Sequence, residues 1–319
     1  MADHVICVRN VKKGKFGNEP GATYFLDVPS ASQKILPAHR AGKKKAWFKR
    51  VLKEAMVDTG ADGTGYGDIL VFVHGYNNDQ KIVLKRHRII RKSLREVGYK
   101  GVVVSFDWPS ADSALNYLED RTDAKTTAIK LVDDCIRAFA LMQEQGCRIN
   151  VHLLAHSTGA YVVREAFDDA DDRPRVAATS WTVSQIMFIG GDVSARSMDA
   201  DNAKSSSIYR HCVRLTNYSS PYDAALKLSN VKRIGVAPRV GRVGLPDHIP
   251  AKAVNVNCGP YYQAHADSMK ALGTKSHSWY IGDAVFTRDM YYTIQGDIDR
   301  HAIPTRQEQG GGLVLCAEE

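Results

Sequence analysis

Short apolar, β-branched runs alternate along this chain with longer stretches whose apolar residues recur at helical spacing. Residues 69–73 (Ile-Leu-Val-Phe-Val) predict a strand, followed by a helix over 81–97 and a second strand over 101–106. Ile129, Val132, Ile136, Phe139 and Ala140 lie on one face of a long predicted helix, 123–145. A strand at 151–155 and a helix at 158–167 come next. Strands at 186–189, 212–216 and, more weakly, 254–257 follow, and a last helical pattern covers 280–294. Near-continuous apolar strands alternating with helices predict the α/β class, with a mostly parallel central sheet covered by helices on both faces.

The first part of the chain reads differently. Residues 5–8 and 23–28 predict edge strands, and 46–56 a helix with Trp47, Val51 and Leu52 facing inward. We expect a single domain over 1–301, in which 1–64 supplies these N-terminal elements and 65–295 the core. The glycine-rich segment 60–67 lacks the Lys-Ser/Thr ending of a phosphate-binding loop and reads as a plain connection. Residues 230–250 read as an excursion over the surface, and 302–319, containing Gly310-Gly311-Gly312, as a loosely ordered tail.

With 319 residues, 24% charged and 44% hydrophobic, the chain is neither disordered nor a collagen-like or coiled-coil rod. No window approaches the roughly 18–20 uncharged apolar residues of a membrane span. The start, Met1-Ala2-Asp3-His4-Val5, shows no basic-then-apolar leader, so a cytoplasmic location is expected. Basic residues outnumber acidic ones 43 to 35. The runs Lys43-Lys44-Lys45 and Lys85-Arg86-His87-Arg88, with Arg91 and Lys92, fit solvated helix faces. Nucleic acid is not the expected partner, because no recognised binding module accompanies them. Six scattered cysteines, none at C-x-x-C spacing, argue against a zinc ribbon or a redox dithiol. No metal or cofactor is expected.

The chemistry concentrates at strand ends. Ala155-His156-Ser157-Thr158-Gly159 follows an apolar strand and opens a helix. This is the pattern of a nucleophile elbow, with alanine where the first glycine usually stands; small neighbours are needed because the serine occupies a strained, crowded turn. Val73-His74-Gly75-Tyr76-Asn77-Asn78 ends an earlier strand, where the backbone amide of Tyr76 would join that of Thr158 in binding an oxyanion. His74 itself reads as structural. A nucleophilic serine needs an imidazole, and the imidazole an orienting carboxylate, in the chain order Ser, Asp, His. Asp192 and Asp223 both qualify; Asp223 is favoured because it follows the second strand after the elbow helix. Of the later histidines, His248, His265, His277 and His301, the one at 277 falls in the loop after the last core strand and is the expected base. His156, Trp108, Asp192, Tyr222 and Trp279 lie beside these turns as candidate pocket residues.

Together with Phe106-Asp107-Trp108-Pro109-Ser110, Gly190-Gly191-Asp192-Val193 and Ser220-Pro221-Tyr222-Asp223-Ala224, these motifs resemble a sparsely characterised branch of the α/β-hydrolases, over about residues 65–295. The resemblance implies the α/β-hydrolase fold, a Ser157–Asp223–His277 triad and cleavage of simple carboxylic esters, with short- to medium-chain acyl groups expected. The branch pattern has methionine after the serine where Thr158 stands here, which alters the pocket lining and not the backbone donor. A thioesterase, lipase or amidase would use the same residues. The alternative from another class is a catalytically silent module that binds a partner or nucleic acid through its basic surface; a binding module has no need of Ser, Asp and His together.

Overall fold

A computed structural model describes residues 2–110, 117–143, 147–231, 238–271 and 275–318. In chain order it runs β1 (Asp3–Lys12), β2 (Lys15–Val28), α1 (Lys44–Ala55), β3 (Met56–Thr59), β4 (Gly65–Val73), α2 (Gln80–Glu96), β5 (Val102–Asp107) and α3 (Tyr117–Lys130). A π-helical stretch, Leu131–Ile136, joins α3 to α4 (Arg137–Met142). Then come β6 (Cys147–His156), α5 (Thr158–Asp171), α6 (Pro174–Ala177), β7 (Val183–Ile189), α7 (Ala203–Arg210), β8 (Cys212–Ser219) and α8 (Ala224–Val231). The chain continues through α9 (Val240–Val243), β9 (Ala253–Asn257), α10 (Gly259–Ala271), α11 (Ala284–Gln295), β10 (Arg306–Gln309) and β11 (Gly312–Leu315).

All strands join one sheet, in the order β10-β11-β9-β8-β7-β6-β4-β5-β1-β2, with β3 paired on β4. Among the described strands only the β1–β2, β3–β4 and β10–β11 pairs are antiparallel. Alternation along β4 divides the core. Ile69, Val71 and Val73 point to one face with Trp47, Phe48, Phe139, Val162 and Phe167, while Leu70 and Phe72 point to the other with Ile90, Leu94, Trp279 and Met290. Helices therefore cover both faces, as the continuous apolar strands require. Among the described residues no helix is long and apolar enough to cross a membrane.

Several expectations change. The first strand is internal, pairing in parallel with β5, because Val5 to Val8 are buried on both faces; only β2 lies at the edge. The long helix before β6 is interrupted by the π-helical stretch. The glycine-rich segment 60–67 belongs partly to β4, which forms a hairpin with β3. The supposed surface excursion contains α9, whose Val240 and Gly241 pair by backbone with Val193 and Gly191; residues 232–237 of that segment lie outside the described ones. The segment after Ala302 is a hairpin that extends the sheet: Leu313 pairs with Val256, and Leu313, Val314 and Leu315 are buried. Its glycines are the reason. Gln309 pairs with Gly312, and the two residues between them hold φ of +61° and +79°, a turn open to glycine and closed to most side chains.

Chain order reverses around β4: β5 lies on one side of it and β6 on the other. In open α/β sheets the crevice at such a reversal, beyond the carboxyl ends of the strands, is where ligands bind. The loop after β4 and the turn after β6 meet there.

Candidate active site

Ser157 stands between β6 and α5 with φ +58° and ψ −125°, a region non-glycine residues rarely occupy. Neighbouring backbone holds it there: Ser157 N–H donates to Ile189 O (3.1 Å), and its carbonyl accepts from Asp192 N–H (3.0 Å) and Ala160 N–H (3.0 Å). Two glycines make room. A Cβ on Gly159 would come within 2.3 Å of Val73 O, and one on Gly75 within 2.6 Å of Ser157 Cβ. Only glycine lets the loop after β4 lie directly against the serine.

From the side chain of Ser157 a hydrogen-bonded line runs inward. Ser157 Oγ lies 2.7 Å from His277 Nε2, and His277 Nδ1 lies 2.7 Å from Asp223 Oδ2. Asp223 is wholly buried; its other oxygen caps α8 by accepting from Leu226 N–H at 3.0 Å. That second bond fixes the carboxylate plane against the imidazole. A side chain on Gly190 would meet Asp223 Oδ2 at 3.2 Å and His277 Cε1 at 3.3 Å, so this glycine gives the pair its space.

The loop Gly75 to Asn78 is pinned from below. Burial, which outweighs the opposing pull of Asp107, holds the His74 imidazole below its ordinary pKa. Its Nδ1 lies 2.8 Å from Gly75 O, and its Nε2 lies 3.2 Å from both Trp108 N and Asp107 Oδ1. Asn78 Nδ2 also donates to Gly75 O (2.7 Å). Since that carbonyl points into the protein, the trans peptide aims the Tyr76 N–H the opposite way. Beneath, the buried Arg9 donates to Asp107 Oδ1 (2.8 Å) and to Asn78 O (2.8 Å). Asp107→Ala would leave Arg9 buried without its counter-charge. We expect a loss of about 3–5 kcal/mol in urea denaturation; an unchanged midpoint would show that the network is not needed to hold the loop.

The other expected residues are placed as follows. Asp192, the rival acid, is turned away from the histidine into a buried ion pair with Arg239 Nε at 3.0 Å. His156 lies under the line: its Nε2–H donates to His277 O (2.9 Å), and burial, with the neighbouring Arg86 charge, pushes its pKa well down. Trp108 does not face the crevice. It is fully buried, its indole N–H donates to His74 O (2.7 Å), and its ring stacks on His74. Trp279 is packed among Tyr261, Tyr280 and Phe286 in the core. Tyr222, 44% exposed, alone of the three aromatic candidates reaches solvent. His265 bonds back to Tyr261 O within α10, and His248 and His301 are exposed, so none of them joins the line. The described group of three metal-type ligands, Asp199, Asp201 and His248, is largely exposed and includes no member of the line.

Sequence reading missed Arg9, and quoted Asp107 in a motif without foreseeing their pairing across 98 positions. Asn78 and Ser110 sat in the quoted motifs, but their work as loop braces was not legible there.

Residues 49–254 match the profile of a family described as alpha/beta hydrolase of unknown function, DUF900. The chain belongs to this α/β-hydrolase family. Its sheet, helices and crevice are those of the family's fold, and a hydrolase of that fold is what the chain is. The sequence matched no curated protein. Loose likenesses to solved structures include a candidate cell-surface hydrolase of Lactobacillus plantarum (12% identity, 72% of this chain and 90% of that one, TM-score 0.37). Esterase B of Lactobacillus rhamnosis (10% identity, 74% and 85%, TM-score 0.35) and a Trichoderma reesei cutinase (12% identity, 79% and 89%, TM-score 0.30) are similar to the same degree.

Proposed function

We propose that this member of the DUF900 α/β-hydrolases is a serine esterase that cleaves short- to medium-chain carboxylic esters through an acyl-enzyme. The observation that carries the reading is the line from Ser157 Oγ through His277 to Asp223, at 2.7 Å and 2.7 Å, on a serine held at φ +58°. Ser157 attacks the ester carbonyl as His277 Nε2 takes its proton. Asp223 accepts from Nδ1–H, holds that tautomer and stabilises the imidazolium. The oxyanion is received by the amide of Thr158, whose N–H the helix ladder of α5 does not use, and by that of Tyr76. His277 then protonates the departing alcohol, and water releases the acid by the same steps in reverse.

The test is hydrolysis of p-nitrophenyl acetate, butyrate and octanoate by the wild type and Ser157→Ala in parallel. Turnover of at least one ester, lost in the variant, supports the reading; equal slow rates in both proteins contradict it. Gly75→Ala tests the oxyanion loop. Its methyl group would have to displace either Ser157 or the loop, so kcat should fall by about 100-fold or more. An alanine variant of full activity would remove Tyr76 from the proposed hole.

A further inference from the structure

Arg86, on the second turn of α2, belongs to a basic run that reads as a solvated surface, yet it lies beside the catalytic line. Its guanidinium donates to His156 Nδ1 at 3.3 Å, and His156 is both the residue before Ser157 and the donor to His277 O. The point of contact also borders the oxyanion loop, since a Cβ on Gly75 would lie 3.0 Å from the same His156 Nδ1. Its neighbours in the run are directed elsewhere: Arg88 and Arg91 share the carboxylate of Asp3, and His87 bonds to Ser105. Arg86 has no carboxylate partner among the described residues, and burial alone pushes its pKa down to about 10. Among the described residues this half-buried guanidinium, with five N–H donors in a fixed fork, has one neutral acceptor. A desolvated cation is normally paired, and an uncompensated one is costly.

The surroundings repeat the imbalance. Arg242 donates to the carbonyl of Asp223 at 2.8 Å and forms no ion pair among the described residues. Of the guanidinium groups that touch the site's residues, Arg9 is matched by Asp107 and Arg239 by Asp192, which leaves Arg86 and Arg242 without a carboxylate among the described residues. Asp223 is committed to His277.

Building on the serine-esterase reading, we infer that the substrate is an ester that carries its own carboxylate, and that Arg86 binds this anion beside the oxyanion loop. A carboxylate accepts two parallel N–H bonds from a guanidinium, which answers the open donors of Arg86 and restores the local charge balance. Neutral esters would leave the cation as it stands.

The test compares p-nitrophenyl pentanoate with mono-p-nitrophenyl glutarate, of equal chain length, and 4-nitrophenyl with 3-carboxy-4-nitrophenyl butyrate, which places the anion on the alcohol side. In one of the two pairs the wild type should prefer the anionic ester. That preference, as a ratio of kcat/KM values, should fall about 30-fold in Arg86→Gln, chiefly through KM, and be largely restored in Arg86→Lys. In the wild type alone, raising the salt concentration should shrink the same ratio, so the result does not depend on the variants folding. A wild type that prefers the neutral ester in both pairs, or a ratio untouched by Arg86→Gln, overturns the inference and leaves the esterase intact. Hydrolysis of none of the four esters contradicts the esterase reading itself, and this inference with it.

Discussion

Ser157→Ala is expected to lower kcat by about a millionfold, to the background left by binding and the oxyanion hole. The size follows from what one atom does. Oγ is the only group of the line that would form a bond to the substrate, and among the described residues it is the hydroxyl bonded to His277 Nε2. Nothing else is lost: Ser157 makes its structural bonds through its backbone, to Ile189, Asp192 and Ala160, and alanine keeps them. The variant should therefore melt at or near the wild-type temperature while turning over nothing. A loss of activity that came with unfolding would point to the fold instead of the chemistry, and activity within tenfold of the wild type would exclude Ser157 as the nucleophile.

Asp223→Asn should cost about 10⁴ in kcat. The substitution is nearly isosteric, and the amide oxygen can still cap α8 through Leu226 N–H. Its NH2 then faces His277 Nδ1, where the carboxylate stood, and turns the imidazole to the tautomer whose Nε2 carries a proton and cannot take one from the serine. No counter-charge remains for the imidazolium. Asp192→Asn is the matched control, since both acids follow strands beyond the elbow and the sequence admits either. Because Asp192 is paired to Arg239 and not to His277, its loss should appear mainly as lowered stability in denaturation, with a far smaller change in kcat than Asp223→Asn. Equal falls in kcat for the two variants would contradict this division of roles.

The strands and the turn at Ser157 were legible because they depend on local pattern: apolar runs bounded by small residues, and a serine between a strand and a helix. Asp223 and His277 were legible once chain order and loop position were added to residue type. The parts that escaped depend on partners distant in sequence. Arg9 and Asp107 carry no periodicity, and their pairing exists only because β1 and β5 lie side by side. Arg86 was read as surface because a run of basic residues shows charge and not direction; three of its neighbours turn inward to Asp3 and Ser105. Gly310 and Gly311 were read as slack, although Gly-Gly between short strand-forming runs is also a hairpin signal, and burial of Leu313 to Leu315 decides between the two. Trp108 and Trp279 stand next to the right turns in sequence but face the core, because large aromatic rings are worth more buried than at a wet crevice.

The central claim is that Ser157 becomes acylated. A nucleophilic serine attacks the phosphorus of a p-nitrophenyl alkylphosphonate and expels p-nitrophenolate, and the phosphonyl-serine that remains mimics the tetrahedral intermediate. Intact-mass spectrometry of the treated wild type should show one phosphonyl group per chain, mapped by peptide digestion to the segment holding Ser157 and missing from Ser157→Ala. Esters hydrolysed by a protein that takes up no phosphonate, or a label that persists in Ser157→Ala, would contradict the account.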